Sequence, residues 1–304
     1  MYDQAERLRK LVKESQNFKN REKKAETSKS VDNDDNTRII AVTSGKGGVG
    51  KTNFTINLGI SLSNLGYRCV VFDADIGFAN IDVISGIIPK YTVADVLERR
   101  KTMKEVITEG PAGVKLIAGG SGINEIMQLD IGEIEYLLKE FKSLQNECDF
   151  ILIDTGAGLS KTVLSFVNAA DEVIIITTPE PTSLTDAYAM IKALNIFNNE
   201  VDLKVIINRV NNAKEAEEVF SKLEKATNKF LDFNINELGY LYESKIIPES
   251  VKNQIPFMEY NPTSQVSKKI NSIALKLIGE EQVEKSGMEN FISNLRSVFT
   301  KGRF

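Results

Sequence analysis

Two lysines among four glycines form the stretch of this sequence with the clearest chemistry. Residues 45–52 match the pattern G-x-x-x-x-G-K-[ST]. In that pattern the glycines let the backbone wrap closely around phosphate groups, and successive N–H groups point at the anion. Lys51 is then placed to reach β- and γ-phosphates, and the Thr52 hydroxyl to bind Mg²⁺. The predicted phosphate-binding residues are Gly45, Lys46, Gly47, Gly48, Val49, Gly50, Lys51 and Thr52.

The elements on either side of this stretch strengthen the prediction of a nucleoside phosphate site. Residues 38–44 form an apolar run that predicts a buried strand, and the residues after Thr52 follow a helical pattern. The N-terminus of that helix adds a partial positive charge beside the phosphates. A tight strand-to-helix turn that binds nothing is the alternative. Such a turn has no use for two lysines, so we favour the phosphate site.

Acidic residues end two other predicted strands. Residues 67–72 predict a strand that leads into Asp73 and Asp75, and residues 150–153 predict an apolar strand that ends in Asp154. Carboxylates at the carboxyl ends of parallel strands stand beside the ligand crevice. We therefore expect Asp154 to hold Mg²⁺ through a water molecule. For Asp73 and Asp75, the alternative is a pair of acids that cap a loop.

The position of Lys46, directly after the first glycine, adds a resemblance to a known family. The resulting stretch K-G-G-x-G-K-T resembles the deviant Walker A motif of the MinD/ParA ATPases, and residues 73–82 resemble that family's switch I segment. Residues 155–158 look like its switch II. The resemblance covers residues 38–280. It implies an α/β P-loop NTPase of the SIMIBI class, with a mostly parallel twisted sheet flanked by helices, and an ATPase that uses ATP and Mg²⁺.

The resemblance also implies roles for individual residues near the phosphates. Lys46 would reach across a homodimer to the partner's nucleotide, much as an arginine finger acts in trans. Asp75 would orient the attacking water, and Asp73 would lie near the magnesium shell. Glu180 resembles a position at the dimer face. Asn53 departs from the family, since many relatives carry a hydroxyl residue there, but an amide can still donate to an α-phosphate oxygen.

A second group of residues resembles the family's recognition of adenine. Asn208 and Arg209 follow the predicted strand at residues 203–207 and look like the adenine-recognition pair. An amide side chain can pair with N6 and N7 of adenine, which favours ATP over GTP. Pro248 and Glu249 resemble the I-P-x-D/E turn that closes over the base.

The N-terminal residues predict a separate element. Residues 1–24 follow a helical pattern, and residues 25–37, rich in Ser, Thr, Asn and Asp, predict a flexible linker. Residues 3–9 match D-Q-A-x-x-L-R and resemble the motif with which the FlhG subgroup activates the signal-recognition-type GTPase FlhF. The matching residues are Asp3, Gln4, Ala5, Arg7, Leu8 and Arg9. The alternative is a solvated, fraying terminus.

The C-terminal residues 285–304 predict an amphipathic helix. Its apolar face consists of Phe291, Ile292, Leu295, Val298 and Phe299. Gly287 and an acidic stretch before it set the segment apart from the ATPase domain, and it resembles the membrane-targeting helix of MinD. The alternative is a helix docked on the core.

Composition excludes several classes of function. The chain has 304 residues, 42% hydrophobic and 26% charged, with a net charge of −4, which suits one α/β domain with appendages. The acidic balance argues against a general nucleic-acid binder. The absence of histidine excludes a His-based triad or a His-ligated metal. With no long apolar run and no signal-peptide pattern, we expect a cytoplasmic protein.

Together these patterns favour an ATP-switched dimer at the inner face of the cell membrane that regulates flagellar number and placement. We expect its partners to be an FlhF-type GTPase, an anionic membrane surface and flagellar basal-body components, with no nucleic acid. A division-site MinD is the closest alternative, and a partition-type ParA is another. A nitrogenase-type iron protein needs a cluster held by thiolates, whereas Cys69 and Cys148 lie in or beside predicted buried strands.

Overall fold

A sheet of eight strands forms the centre of the computed structural model, which describes residues 37–75, 81–120, 131–145, 147–197, 201–279 and 287–301. The strands are β1 (Arg38–Ser44), β2 (Cys69–Ala74), β3 (Thr108–Glu109), β4 (Lys115–Ala118), β5 (Phe150–Ala157), β6 (Glu172–Thr177), β7 (Asp202–Val210) and β8 (Asn236–Tyr242). Their order across the sheet is β3-β4-β2-β5-β1-β6-β7-β8. Only the β3–β4 pair of this sheet is antiparallel, so the predicted mostly parallel sheet is confirmed.

Helices connect the parallel strands. They are α1 (Lys51–Asn64), α2 (Ile81–Ser85), α3 (Val93–Leu97), α4 (Met103–Val106), α5 (Ile131–Lys142), α6 (Lys161–Ala169), α7 (Pro181–Phe197), α8 (Ala213–Leu231), α9 (Ile246–Lys252), α10 (Phe257–Tyr260), α11 (Gln265–Gly279) and α12 (Gly287–Lys301). Several begin at polar caps that satisfy free backbone N–H groups. Ser160 accepts from the N–H of Val163 before α6, and Asn212 accepts from that of Glu215 before α8. None of the described helices is both long and apolar enough to cross a bilayer.

Both faces of the sheet are covered, and this accounts for the continuous apolar runs of the strands. Every residue of β1 and β6 is buried. One face packs against α1, α10 and α11, and the other against α5, α6, α7, α8 and α12. Because β1 lies between β5 and β6, the loop after β1 opens at the middle of the carboxyl edge of the sheet. Ligands bind at that edge in open parallel sheets.

Helix α12 lies on the core, where it packs against α5, α6 and β1. Phe291, Ile292 and Leu295 are buried, and Val298 and Phe299 are half-buried. The Phe291 ring meets the Phe141 ring of α5 edge to face, with ring centroids 6.3 Å apart. The predicted apolar face is therefore present. In this structure it packs on the core, which is the alternative to membrane binding given in the sequence analysis.

Candidate nucleotide-binding site

The loop between β1 and α1 has the backbone conformation of a phosphate cradle. Gly48 and Gly50 have φ angles of 77° and 97°, in the left-handed region that glycine adopts without strain. Gly50 directly precedes the first residue of α1, Lys51, which is buried. A side chain at position 50 would also meet the amide nitrogen of Asn208 at 2.6 Å. The loop thus needs glycine for two reasons, its conformation and its close neighbour.

The side chain of Lys46 lies outside this cradle, at the start of α7. Its Nζ atom donates to Glu180 Oε2 at 2.8 Å and to Thr182 Oγ1 at 3.1 Å. The Lys46 side chain is 39% exposed and that of Glu180 is 58% exposed. The ion pair with Lys46 lowers the pKa of Glu180. The second lysine of the motif is thus held by residues of its own chain.

The first glycine of the motif brings α7 against the loop. A Cβ atom at Gly45 would lie 2.2 Å from the backbone carbon and oxygen of Asp186, a distance that no side chain tolerates. The loop therefore touches the α7 backbone directly. Together with the Lys46 contacts, this approach makes the first turns of α7 one wall of the site.

Two buried carboxyl groups lie side by side at the carboxyl edge of the sheet. Asp73 and Asp154 are register partners on the neighbouring strands β2 and β5, and they are 2% and 0% exposed. Burial, and then repulsion by Asp154, raise the pKa of Asp73 to about 8. Burial raises the pKa of Asp154 to about 6 against the opposing effect of Lys51. Both groups are held in a site that disfavours their charged forms.

These residues fit a bound divalent cation. Among the described residues, the Oδ2 atom of Asp154 is buried without a hydrogen-bond partner, while Thr52 stabilises the Asp154 carboxylate through a side-chain hydrogen bond. An unpaired buried carboxylate oxygen is costly unless something charged or hydrogen-bonding completes it. Mg²⁺ needs few protein ligands, because it keeps several waters and binds substrate phosphates. Thr52 and Asp154 would hold the ion, with Asp73 beside them.

The carboxylate of Asp75 lies against Gly156, which follows the end of the apolar core of β5. The Asp75 backbone N–H donates to Asp73 Oδ1 at 3.0 Å. A Cβ atom at Gly156 would lie only 2.9 Å from Asp75 Oδ1. The missing side chain at position 156 is thus what allows Asp75 its observed place.

Asn208 and Arg209 reach the phosphate loop from the end of β7. Asn208 donates from Nδ2 to the carbonyl of Val49 at 2.7 Å, and Arg209 donates from Nη2 to the carbonyl of Gly48 at 2.8 Å. The pairing of β7 with β8 is irregular here, and Arg209 has a φ of 60°. Such backbone strain in a non-glycine residue is typical of functional sites. The predicted adenine pair therefore lies beside the predicted phosphate loop.

The remaining predicted residues lie farther out. Pro248 and Glu249 are exposed in the first turn of α9, which follows β8. Asn53 lies in the first turn of α1, and its Oδ1 atom is buried with no hydrogen-bond partner among the described residues. Residues 3–9, with the D-Q-A-x-x-L-R motif, lie outside the described residues. Their predicted roles stay predictions.

Sequence reasoning missed two residues that shape the site, Thr182 and Asp186. It placed Gly156 in the switch II segment but did not predict the contact of Gly156 with Asp75. Thr182 lies two positions after Glu180, in the first turn of a predicted helix, so the sequence could have placed its hydroxyl near Lys46 together with Glu180. Asp186 contacts Gly45 through its backbone, and such a contact leaves no mark in the residue pattern. Gly156 acts by lacking a side chain, and the switch II pattern does not show that Asp75 lies against it.

A protein-family model described as ParA: NUBPL iron-transfer P-loop NTPase matches residues 35–278. Iron transfer would call for accessible thiolates, and the two cysteines of the chain do not supply them. Cys69 and Cys148 are both buried free thiols. Burial raises the pKa of both, to about 12 for Cys148. The nucleotide site fits the family, whereas these thiols do not fit an iron ligand.

Known proteins similar to this chain include an antiactivator and a flagellum site-determining protein. The antiactivator FleN of Pseudomonas aeruginosa is 38% identical over 240 residues, 79% of this chain and 86% of that protein. The flagellum site-determining protein YlxH of Helicobacter pylori is 36% identical over 270 residues, 87% and 91% of the two chains. The septum site-determining protein MinD of Pyrococcus horikoshii, solved in complex with Mg-ADP, superposes with a TM-score of 0.66 at 27% identity, over 80% of this chain and 96% of that one. The family model, the relatives and the fold show that the chain belongs to the ParA/MinD family of P-loop NTPases.

Proposed function

We propose that this protein is an ATP-hydrolysing dimeric switch that associates with the membrane and regulates flagellar number and placement. The observation that carries the proposal is the convergence of the Lys46-bearing phosphate loop with Asp73, Asp75 and Asp154 at one edge of the sheet. The flagellar role is supported by the identity to FleN and YlxH over most of each chain. The switch uses ATP and Mg²⁺.

Each side chain of the site has a place in this switch. Lys51 neutralises charge on the β- and γ-phosphates from its buried position at the start of α1. Asp75 orients the attacking water, because its carboxylate lies against Gly156, beside the predicted metal site and close enough to Asp154 to raise the pKa of that carboxyl. Asn208, held against the Val49 carbonyl, selects adenine over guanine with its amide. Mg²⁺ supplies charge neutralisation at the phosphates when bound.

Dimer formation changes the partner of Lys46. In the monomer, Glu180 and Thr182 hold its ammonium group at the exposed edge of the site. An exposed ion pair of this kind contributes roughly 0–1 kcal/mol, so it gives way easily to a stronger partner. The phosphates of a second protomer's nucleotide are such a partner. Lys46 thus leaves the carboxylate of Glu180 in its own chain and binds the phosphates of the nucleotide in the second protomer. The dimer therefore forms only when ATP is bound.

In this proposal membrane association uses α12, and the docked position of the helix supports a dependence on the dimer. The body buries Phe291, Ile292 and Leu295 almost completely, whereas an interfacial helix buries each residue only in part. One tail therefore favours its own body over a bilayer. A dimer carries two tails, and insertion of the second becomes intramolecular, which raises avidity by about 10²–10⁴. The protein acts as a peripheral membrane protein only in its ATP state.

The N-terminal residues provide the link to a partner. The D-Q-A-x-x-L-R motif and the linker that follows it support a role for residues 1–24 in stimulating an FlhF-type GTPase, with basal-body components as further candidates. A synthetic peptide of residues 1–24 should raise the partner's hydrolysis rate, and Gln4→Ala should remove the gain. A division-site function is the second candidate, favoured by the likeness to MinD. A peptide without effect would favour it.

One pair of variants tests the switch itself. Asp75→Ala removes the water-orienting carboxylate but no phosphate contact, so it should bind ATP and remain dimeric. Lys46→Ala should bind ATP without forming a dimer. Gel filtration with light scattering in ATP and in ADP measures both. An Asp75→Ala protein that stays monomeric in excess ATP, or a Lys46→Ala protein that dimerises like the wild type, would contradict the proposal.

A further inference from the structure

An open cleft of about 710 Å³ separates the outer faces of α5 and α12. Ionic side chains line it from both helices: Glu135, Lys139 and Lys142 from α5, and Glu289 and Arg296 from α12. The apolar contact of Phe291 with Phe141 lies beneath it. The cleft therefore marks the seam along which α12 would leave the body.

In the part of the chain that the structure describes, two ion pairs cross this seam, in opposite senses. Arg296 of α12 pairs with Glu135 of α5 at 2.5 Å, and Lys142 of α5 pairs with Glu289 of α12. All four side chains are between 42% and 51% exposed. Ion pairs at such positions are screened by salt and contribute little to stability, so their partners can be exchanged. Among the described residues, Lys139 makes no ion pair, and it adds a third cation to the cleft.

The cations of the cleft suit a phosphate group better than the carboxylates they now face. The guanidinium of Arg296 presents a planar fork that binds phosphate oxygens in a bidentate manner, and lysine binds phosphate as a point charge. A membrane rich in anionic lipids offers many such groups at once, and it attracts basic side chains near its surface. Glu289, in contrast, is repelled by that surface when α12 approaches it.

We propose that the α5–α12 cleft binds the phosphate headgroups of anionic phospholipids, which displace Glu135 from Arg296 and Lys142 from Glu289 and so loosen α12 at the membrane. The proposal rests on the membrane association proposed above and names the lipid chemistry it requires. Lys139 and Lys142 remain on the body and hold headgroups there, while Arg296 travels with the helix. The ion pairs of Glu135 and Glu289 oppose the release of α12 from the body.

This arrangement predicts which single substitutions raise the affinity for anionic vesicles and which lower it. Glu135→Gln removes the Glu135 carboxylate that competes with lipid for Arg296, and Glu289→Gln removes both a tether and a repulsive charge, so each should tighten binding to anionic vesicles. Arg296→Gln should weaken it, although it also breaks a tether. A merely structural role for the two ion pairs predicts a different pattern, in which all three variants undock α12 alike.

Vesicle sedimentation of the full chain in ADP and in ATP measures these effects. With vesicles of phosphatidylglycerol in phosphatidylcholine, we expect Glu135→Gln and Glu289→Gln to bind about 2–5-fold more tightly than the wild type in ATP. With pure phosphatidylcholine, neither variant should differ from the wild type. Glu259→Gln, an exposed residue of α10, makes the same change in net charge away from the cleft and should change nothing.

The outcomes separate this inference from the proposed function. If the wild type binds anionic vesicles in ATP but neither variant binds them more tightly, the cleft is not a headgroup site while membrane association stands. Equal gains on both kinds of vesicle would also overturn it, since they would indicate undocking alone. If inorganic phosphate reproduces the release, the cleft binds free phosphate rather than lipid. A wild type that binds no vesicles in either nucleotide overturns both.

A label in the cleft gives a second measurement that does not depend on affinity. Both native cysteines are buried, so Ser293→Cys, at an exposed position that lines the cleft, can be labelled selectively with a fluorophore. Anionic vesicles should change the emission of this label, and Arg296→Gln should reduce the change. An emission that responds equally to phosphatidylcholine would contradict recognition of the headgroup.

Discussion

Replacing Gly156 by alanine should slow ATP hydrolysis without weakening ATP binding. The added methyl group would lie 2.9 Å from Asp75 Oδ1, and an ordinary contact begins near 3.4 Å, so the carboxylate must move by about 0.5 Å. A displacement of ~1 Å at a reacting group costs about 10²-fold in rate. Half that displacement therefore predicts a loss of about tenfold, or about 1.4 kcal/mol in the activation free energy.

The fold should tolerate this change. The atom that the methyl group meets is the far end of a side chain, and Gly156 is not among the residues with positive φ. Unfolding temperature should therefore stay within a few degrees of the wild type. Gly279→Ala is the matched control, because a Cβ atom there meets nothing within 4 Å. It should leave both rate and stability unchanged.

Single-turnover hydrolysis, with nucleotide affinity measured in parallel, tests the prediction. In an Asp75→Ala background the methyl group no longer meets a carboxylate, so Gly156→Ala should cause no further change in residual hydrolysis. A Gly156→Ala protein with the wild-type rate would refute the reasoning. It would mean that Asp75 either does not act on the water or does not rest against Gly156 in the reacting state.

Two further predictions concern the charges of the site. In the folded protein the pKa values of Asp73 and Asp154 are about 8 and about 6, above those of the free side chains. Proton binding to these two groups therefore stabilises the metal-free fold as pH falls through this range. The same protons compete with Mg²⁺ for the carboxylates. Calorimetric titration should show Mg²⁺–nucleotide affinity rising between about pH 6 and 8, and a flat profile would contradict it. Glu180→Gln removes the charged partner of Lys46 in cis and leaves the weaker contact with Thr182, so light scattering should show the dimer at a few-fold lower ATP concentration. Loss of the dimer would instead place Glu180 in the dimer contact.

The sequence alone predicted the chemistry of the phosphate site well, because that chemistry depends on local spacing. A glycine-rich turn between a strand and a helix is readable within a dozen residues, and the structure has β1 and α1 where the pattern places them. Asp154 was readable for the same reason, as the acid that ends an apolar run. The pairing of Asp73 with Asp154 was not, since it depends on β2 lying next to β5.

Contacts between segments distant in the chain could not be predicted from the sequence pattern, and the reason is physical. The approach of Asp186 to Gly45 and the contact of Lys46 with Glu180 both require β6 to lie beside β1, and local periodicity does not reveal the order of strands in a sheet. The sequence analysis also did not predict helix α8, for a different reason. Its buried residues Ala216, Val219 and Leu223 follow helical spacing, but the segment carries no motif that draws attention to it.

The C-terminal helix shows where a correct pattern leaves the structure undetermined. An apolar stripe at helical spacing requires an apolar surface opposite, and it does not say whether that surface is a bilayer or a protein groove. In this molecule the groove exists, since α5 and α6 present apolar side chains that bury Phe291 and Leu295. The same stripe would face lipid if the helix left. If the proposed membrane association holds, body and bilayer compete for one set of side chains, and the balance between them sets where the protein is found.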